Sequence, residues 1–223
     1  MPGAILKNPD VKVLNMTSDH TEGVYNLCQD HVRLEEPVIS SLNLRREETE
    51  ACFRDYVNNC LASGHSLVAV DTTKENYVVG CRLSTVRTRA ASGKKAYCNY
   101  SGPIQYLYDF MGDLEAGIFD VLAPAETIIR FELLAVHPEY QRCGIAEAMV
   151  DKALEMAEQA KADHVFTLAT SFKSQNLFLN KKGFSVVRCV QTAEYEINGT
   201  KPFANVNPEH PTCKVVAKAL QSS

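Results

Sequence analysis

The chain has 223 residues, 45% hydrophobic and 22% charged, a length and balance that fit one globular domain or one domain with an insertion. Its 27 acidic and 23 basic residues leave a net charge of −4, which argues against a nucleic-acid binder and suits a small cationic partner. The eight cysteines are scattered without C-x-x-C pairs or zinc spacing, no run approaches transmembrane length, and MPGAILKNPD carries no apolar signal core.

Val11–Thr17 alternates apolar and polar residues and reads as a strand. Ser18 or Asp19 caps a helix running to about Val32, with Val24, Leu27, Cys28 and Val32 on one face. Pro37 pushes Glu36 out of the α region, so Glu36 is expected on a loop beside a helix end. Arg46–Ser63 is a second helix, stopped by Gly64. Ser66–Asp71 and Tyr77–Val86 form a hairpin. Arg87–Pro103 is a basic loop, and Ile104–Leu122 an amphipathic helix that Gly112 or Gly117 can break.

Ile128–Val136 is a nearly continuous apolar strand, followed by the turn His137–Tyr140. A small, Gly-centred loop follows, Gln141-Arg142-Cys143-Gly144-Ile145-Ala146, leading directly into a helix over Ile145–Lys161. Such a loop turns backbone N–H groups outward at a helix N-terminus, where free donors and the helix dipole favour an anion. The dinucleotide and P-loop patterns are both absent. Val165–Ala169 is a short buried strand, Thr170–Ser174 a polar hinge, and Gln175–Lys182 a short helix stopped by Gly183. Phe184–Val190 and Cys213–Leu220 are strands, with Gln191–Pro211 between them as a surface loop or lid. This order makes a mixed α/β fold with an antiparallel start and a parallel centre.

The ordered set from Thr127 to Phe184 (the strand ending LLAVHPEYQ, the Gln141–Ala146 loop and its helix, a strand, then QNLFLNKKGF) resembles the GCN5-related N-acetyltransferase (GNAT) superfamily. Glu35-Glu36-Pro37-Val38 is similar to the D/E-E-P-L motif of invertebrate arylalkylamine N-acetyltransferases of the dopamine type. The helix over Ile104–Leu122 matches the insertion those enzymes carry before the central strand. The resemblance implies a GNAT fold, a mixed central sheet with splayed parallel strands flanked by helices. It also implies a single domain over 1–223 with a helical insertion at about 90–125. Two departures stand out. Cys143 replaces a usual Gly or basic residue, and Leu179 occupies the place of a Tyr general acid found in some members.

The implied activity transfers acetyl from acetyl-CoA to the primary amine of a small arylalkylamine of dopamine, tyramine, tryptamine or serotonin type. Polyamines, amino acids or protein amines are the alternative acceptors, and a non-catalytic acyl-CoA-binding module is the alternative class. The cofactor set is Leu134, Ala135 and Val136 for pantetheine, then Gln141, Arg142, Cys143, Gly144, Ile145 and Ala146 for the pyrophosphate, with Asn176 beside them. The Val136 N–H is the expected donor to the thioester oxygen. An alkylamine with a pKa of roughly 10.4 needs a base, and the motif assigns it to Glu36, with Glu35 as understudy. Ser171 and Ser174 are the hydroxyls available to a thiolate leaving group. Lys173 is a second phosphate candidate, while Lys181 and Lys182 read as solvated surface charges, and His137 as a turn histidine. A cytoplasmic monomer or weak dimer is expected, with reduced thiols, no metal, and neither membrane nor nucleic acid as partner.

Overall fold

The computed structural model describes residues 6–92 and 100–220. All seven strands lie in one sheet, in the order β1-β2-β3-β4-β5-β7-β6. They are β1 (Val11–Asn15), β2 (Leu67–Asp71), β3 (Tyr77–Thr88), β4 (Thr127–Val136), β5 (His164–Ala169), β6 (Ser185–Gln191) and β7 (Thr212–Ala219). Only β4 and β5 are parallel; every other pair is antiparallel.

The first helix, α1, spans residues 21–35 as an α-helical stretch Thr21–Leu27, a π-helical turn Cys28–Val32 and a last α turn Arg33–Glu35. It packs with α3 (Arg46–Ala62) over one sheet face, burying Val24, Leu27, Cys28, Cys52, Phe53 and Cys60. Between them lies α2 (Pro37–Ser41), a short helix where a loop was expected. Proline is tolerated at the first helical position because its missing N–H has no helical partner there anyway.

The inserted helix is broken in two, α4 (Ile104–Glu115) and α5 (Ile118–Val121). The break falls at Gly117, whose φ of +66° closes one helix and opens the other. The opposite sheet face is covered by α6 (Ile145–Gln159), which buries Met149, Val150, Ala153 and Ala157. Last comes α7 (Phe172–Gln175), prolonged by a π-helical stretch Asn176–Lys181.

Several expectations are corrected. Arg87 and Thr88 belong to β3 and not to a basic loop; residues 93–99 of that expected loop lie outside the described residues. The polar hinge is cut short, because helix α7 starts at Phe172. The segment between β6 and β7 is a largely exposed loop, as expected, but it is anchored to the core. Thr192, Phe203 and Val206 are buried, and Phe203 packs on Phe110 of α4 with ring centroids 4.9 Å apart. Lys182 is not a solvated charge: its side chain is 10% exposed and pairs with Asp151 and Glu147.

Candidate active site

The site is organised by a parting of β4 from β5. Along β3, β4 is paired throughout, from Thr127 opposite Thr88 to Val136 opposite Gly80. Along β5 it is paired only from Ile128 to Phe131. One extra residue, Glu132, is inserted into β4: Leu83 faces Leu133, while the next residue, Ser84, faces Phe131. A bulge of this kind bends and twists the strand that carries it. The strands separate directly beyond it, leaving Leu133 to Val136 with an open edge.

That edge presents ladder groups. The His137 N–H donates to the Val79 carbonyl at 2.8 Å. In an antiparallel pair the hydrogen-bonding direction alternates residue by residue. Val136 therefore turns its N–H away from β3, into the gap. Its carbonyl accepts from Gln141 Nε2 at 3.3 Å, and Gln141 Oε1 accepts from Lys173 Nζ at 3.4 Å. One carboxamide thus spans the mouth of the gap, from the end of β4 to the start of α7.

The Gln141–Ala146 loop closes the same end. Arg142 has φ +62° and Gly144 φ +81°. The Cys143 carbonyl is taken by the Lys7 N–H at 3.1 Å, and the Gly144 carbonyl by Ala148 N–H at 2.9 Å. The amide N–H groups of Arg142 to Glu147 find no acceptor among the described residues. They form a cluster of outward donors at the N-terminus of a 15-residue helix, a setting that fits a pyrophosphate. Glu147 in the first turn would oppose an anion. Hydrogen bonding from Lys181, then the charge of Lys182, holds its carboxyl below the ordinary value and neutralises it locally. Cys143 is half-buried and packs with the cluster around Tyr140 and Met149.

Across the gap stands Glu36. Pro37 has forced it to φ −70° and ψ 124°, so it both ends α1 and caps α2. Its Oε2 accepts from the Ile39 N–H at 2.7 Å, and the Thr170 side chain at the end of β5 lies close enough to favour the charged carboxylate. Burial raises its pKa above the ordinary carboxylate value; Thr170 and the Ile39 and Val38 N–H groups partly offset that rise. Glu35 points elsewhere: it is exposed and sits 3.5 Å from His31.

Ser171 and Ser174 are brought together, but on each other. Ser171 caps α7 by accepting from the Ser174 N–H at 3.1 Å, the Ser174 hydroxyl donates to the Ser171 carbonyl at 2.9 Å, and the two hydroxyls are 3.0 Å apart. Asn176 lies one turn on, its Oδ1 accepting from Asn180. His137 accepts from the Glu139 N–H at 3.3 Å, which caps its own turn. Its ring also meets that of His31 at 4.5 Å.

Thr170 was read, with Ser171 and Ser174, as a hinge hydroxyl; what the sequence did not show is that the end of β5 sets it beside Glu36. The charges Arg130 and Glu132 were passed over, although two opposite charges inside an apolar strand signal a buried pair. Among the described residues no His/Cys/Asp/Glu group suits a metal, and no helix is long and apolar enough to cross a membrane.

Comparison with known proteins adds an independent line. The family model described as "Acetyltransferase (GNAT) domain" matches residues 107–186. No curated protein sequence gives a match. Among solved structures, arylalkylamine N-acetyltransferase 2 from Aedes aegypti superposes with a TM-score of 0.82 at 16% identity, covering 95% of this chain and 100% of that one. The polyamine N-acetyltransferase of Drosophila melanogaster, which forms N-acetylagmatine, gives 0.76 at 16% identity, over 95% and 100%. Naa50 of Arabidopsis thaliana, bound to the bisubstrate analogue CoA-Ac-MVNAL, gives 0.54 at 14% identity, over 95% and 99%.

Proposed function

We propose that the chain is an N-acetyltransferase of the GNAT type drawing on acetyl-CoA, and that its acceptor is the primary amine of a small arylalkylamine, deprotonated by Glu36. The observation that carries this reading is the Glu36 carboxyl, fixed by the Ile39 N–H at 2.7 Å, set beside Thr170 at the end of β5 where β4 and β5 have parted, and held by burial above its ordinary pKa. The chain would act as one domain with a helical insertion, as a cytoplasmic monomer or weak dimer.

In this reading Leu134, Ala135 and Val136 offer their open edge to the pantetheine arm as a further strand would be received. The donors of Arg142 to Ala146 take the pyrophosphate, with Gln141, Arg142, Lys173 and Asn176 beside it. The Val136 N–H stabilises the negative charge that develops on the thioester oxygen. Glu36 takes the amine proton, directly or through water; a carboxyl with a raised pKa accepts a proton nearer neutral pH. The departing thiolate, with a pKa of about 8.5, needs little assistance. Leu179 in place of a Tyr acid is therefore tolerable, and a proton from Ser171 or Ser174 through water is an aid, not a requirement.

The likeness to the Drosophila polyamine enzyme favours a second reading, in which the acceptor is a polyamine or agmatine. Turnover with dopamine, tyramine, tryptamine, agmatine and spermidine separates the two. Glu36→Gln is expected to lower kcat/KM by about 10²-fold or more and to erase the acidic limb of the pH profile. An unchanged profile in that variant removes Glu36 from the chemistry, and no thiol release with any amine overturns the acetyltransferase reading itself.

A further inference from the structure

A closed ring of buried charge lies behind the site, and nothing in the acetyl-transfer chemistry above uses it. Arg87 on β3 pairs with Glu115 at 2.6 Å and with Glu132 at 3.5 Å. Arg130 on β4 pairs with the same two carboxylates, Glu115 at 2.6 Å and Glu132 in direct contact. The side chains of Arg130, Glu132 and Glu115 are 2%, 4% and 5% exposed. Positive and negative groups alternate, so the ring is neutral as a whole, yet deleting any one member leaves its neighbours an uncompensated buried charge.

Its position gives the ring a role. Glu132 is the inserted residue of the β4 bulge, and it is further held by the Thr85 hydroxyl at 2.6 Å and the Tyr56 hydroxyl at 3.4 Å. The flanking residues are fixed by buried Arg82, whose Nη1 donates to the Leu133 carbonyl at 2.7 Å and whose guanidinium lies 3.9 Å from the Phe131 ring centroid. Glu115 is the last residue of α4, and the carbonyls beside it, Leu114 and Ala116, accept from Arg188 of β6 at 2.7 and 2.6 Å. Helix α4 also packs against α2, the helix that Glu36 caps. One ring therefore ties the bulge where the gap opens to a helix that rests on the acceptor side.

We propose that the Arg87–Glu115–Arg130–Glu132 ring couples the inserted helix to the β4–β5 gap, making Glu115 a positioning residue for acetyl-CoA although it belongs to neither the loop nor the strand edge that would bind it. The proposal rests on the reading of the gap as the acyl-CoA site. Close-packed interiors transmit displacement instead of absorbing it, so a shift of α4 reaches Glu132 through its guanidinium partners. Linkage then makes the effect reciprocal: an acceptor that shifts α4 changes acetyl-CoA affinity by the same factor as acetyl-CoA changes acceptor affinity.

The test measures acetyl-CoA binding by calorimetry, KM for both substrates, and amide hydrogen exchange at Leu134 to Val136. Glu115→Gln is expected to weaken acetyl-CoA binding about tenfold, with faster exchange at those amides. Glu115→Gln combined with Arg87→Gln restores neutrality and is expected to recover most of the loss. Phe53→Ala, a cavity on α3 outside the ring, should lower the melting temperature and leave acetyl-CoA affinity unchanged. If Glu115→Gln does not fold, Thr85→Val removes one bond to Glu132 and should weaken binding about threefold. Wild-type affinity and exchange in the folded ring variants overturn the coupling, as does a loss equal to that of Phe53→Ala. A wild-type protein that binds no acetyl-CoA overturns the functional reading instead, and the exchange data still judge the ring.

Discussion

The cofactor side and the acceptor side of this molecule are built differently. On the proposed cofactor side the working groups would be backbone: the open edge of Leu133 to Val136 and the amides of Arg142 to Glu147, unpartnered among the described residues, all within one continuous stretch of chain. On the proposed acceptor side they would be side chains from separate segments, Glu36 between α1 and α2 and Thr170 after β5. Backbone sites tolerate side-chain change and depend on strand and loop geometry. Side-chain sites depend on distant segments arriving together, and so vary more easily between relatives.

The comparison can be broken most directly at Val136. Its N–H faces the gap and not β3, so Val136→Pro should preserve the pairing of β4 with β3 while deleting the donor. The expected result is a fall in kcat of about 10²–10³-fold with a cooperative melt. A fall confined to KM would make this amide a binding group only.

Phe203→Ala probes how the loop between β6 and β7 is anchored on α4. The ring is fully buried between Phe110 and Tyr195, so truncation should cost about 3–5 kcal/mol of stability, read from chemical denaturation. A cost near zero would mean that Phe203 does not anchor the loop on α4. Gly144→Ala strains a backbone held at φ +81° by about 1 kcal/mol and puts a methyl on the loop. It should raise KM for acetyl-CoA roughly tenfold at nearly constant kcat. A change in acceptor KM instead would mean that the two sides are not separable at this loop.

The smallest effect is in acid. Burial holds His137 and His164 below the ordinary histidine value, and Asp163, bonded by the Thr127 and Glu126 amides, is also held low. For each, the folded state binds fewer protons than the unfolded state. Their stability is present above the unfolded pKa, about 6.5 for His, and is lost as pH falls through it toward the folded value. Glu36 has the opposite sign: its raised pKa makes the folded carboxylate a cost above about 4.3 that fades as it protonates. The urea midpoint should fall from pH 7 to pH 5, and His164→Gln should reduce that fall.

The strand, loop and helix of the proposed cofactor side were legible in the sequence because their signals are local. A strand, a Gly-centred loop and a helix follow one another, and the anion-binding amides come with that order. The acceptor side was legible only at Glu36, because Pro37 fixes the backbone of the residue before it. The inserted helix was readable from its period, and its break from Gly117. The anchoring of the 191–211 loop was not readable, since a polar, proline-containing segment gives no local sign that Phe203 will find α4. Ser171 and Ser174 were read as hydroxyls for chemistry, and the structure shows them capping each other, a contact that depends on where α7 begins.

The sequence by itself determined the strand, loop and helix of the cofactor stretch and the extended backbone at Glu36, because steric limits and hydrogen-bond periodicity act between neighbours in the chain. Only the tertiary structure decided that β4 leaves β5 after Phe131, that Thr170 meets Glu36, and that Arg87, Glu115, Arg130 and Glu132 close a ring. Those outcomes depend on charge pairing and packing between residues far apart in sequence, whose energies exist only once the chain has brought them into contact.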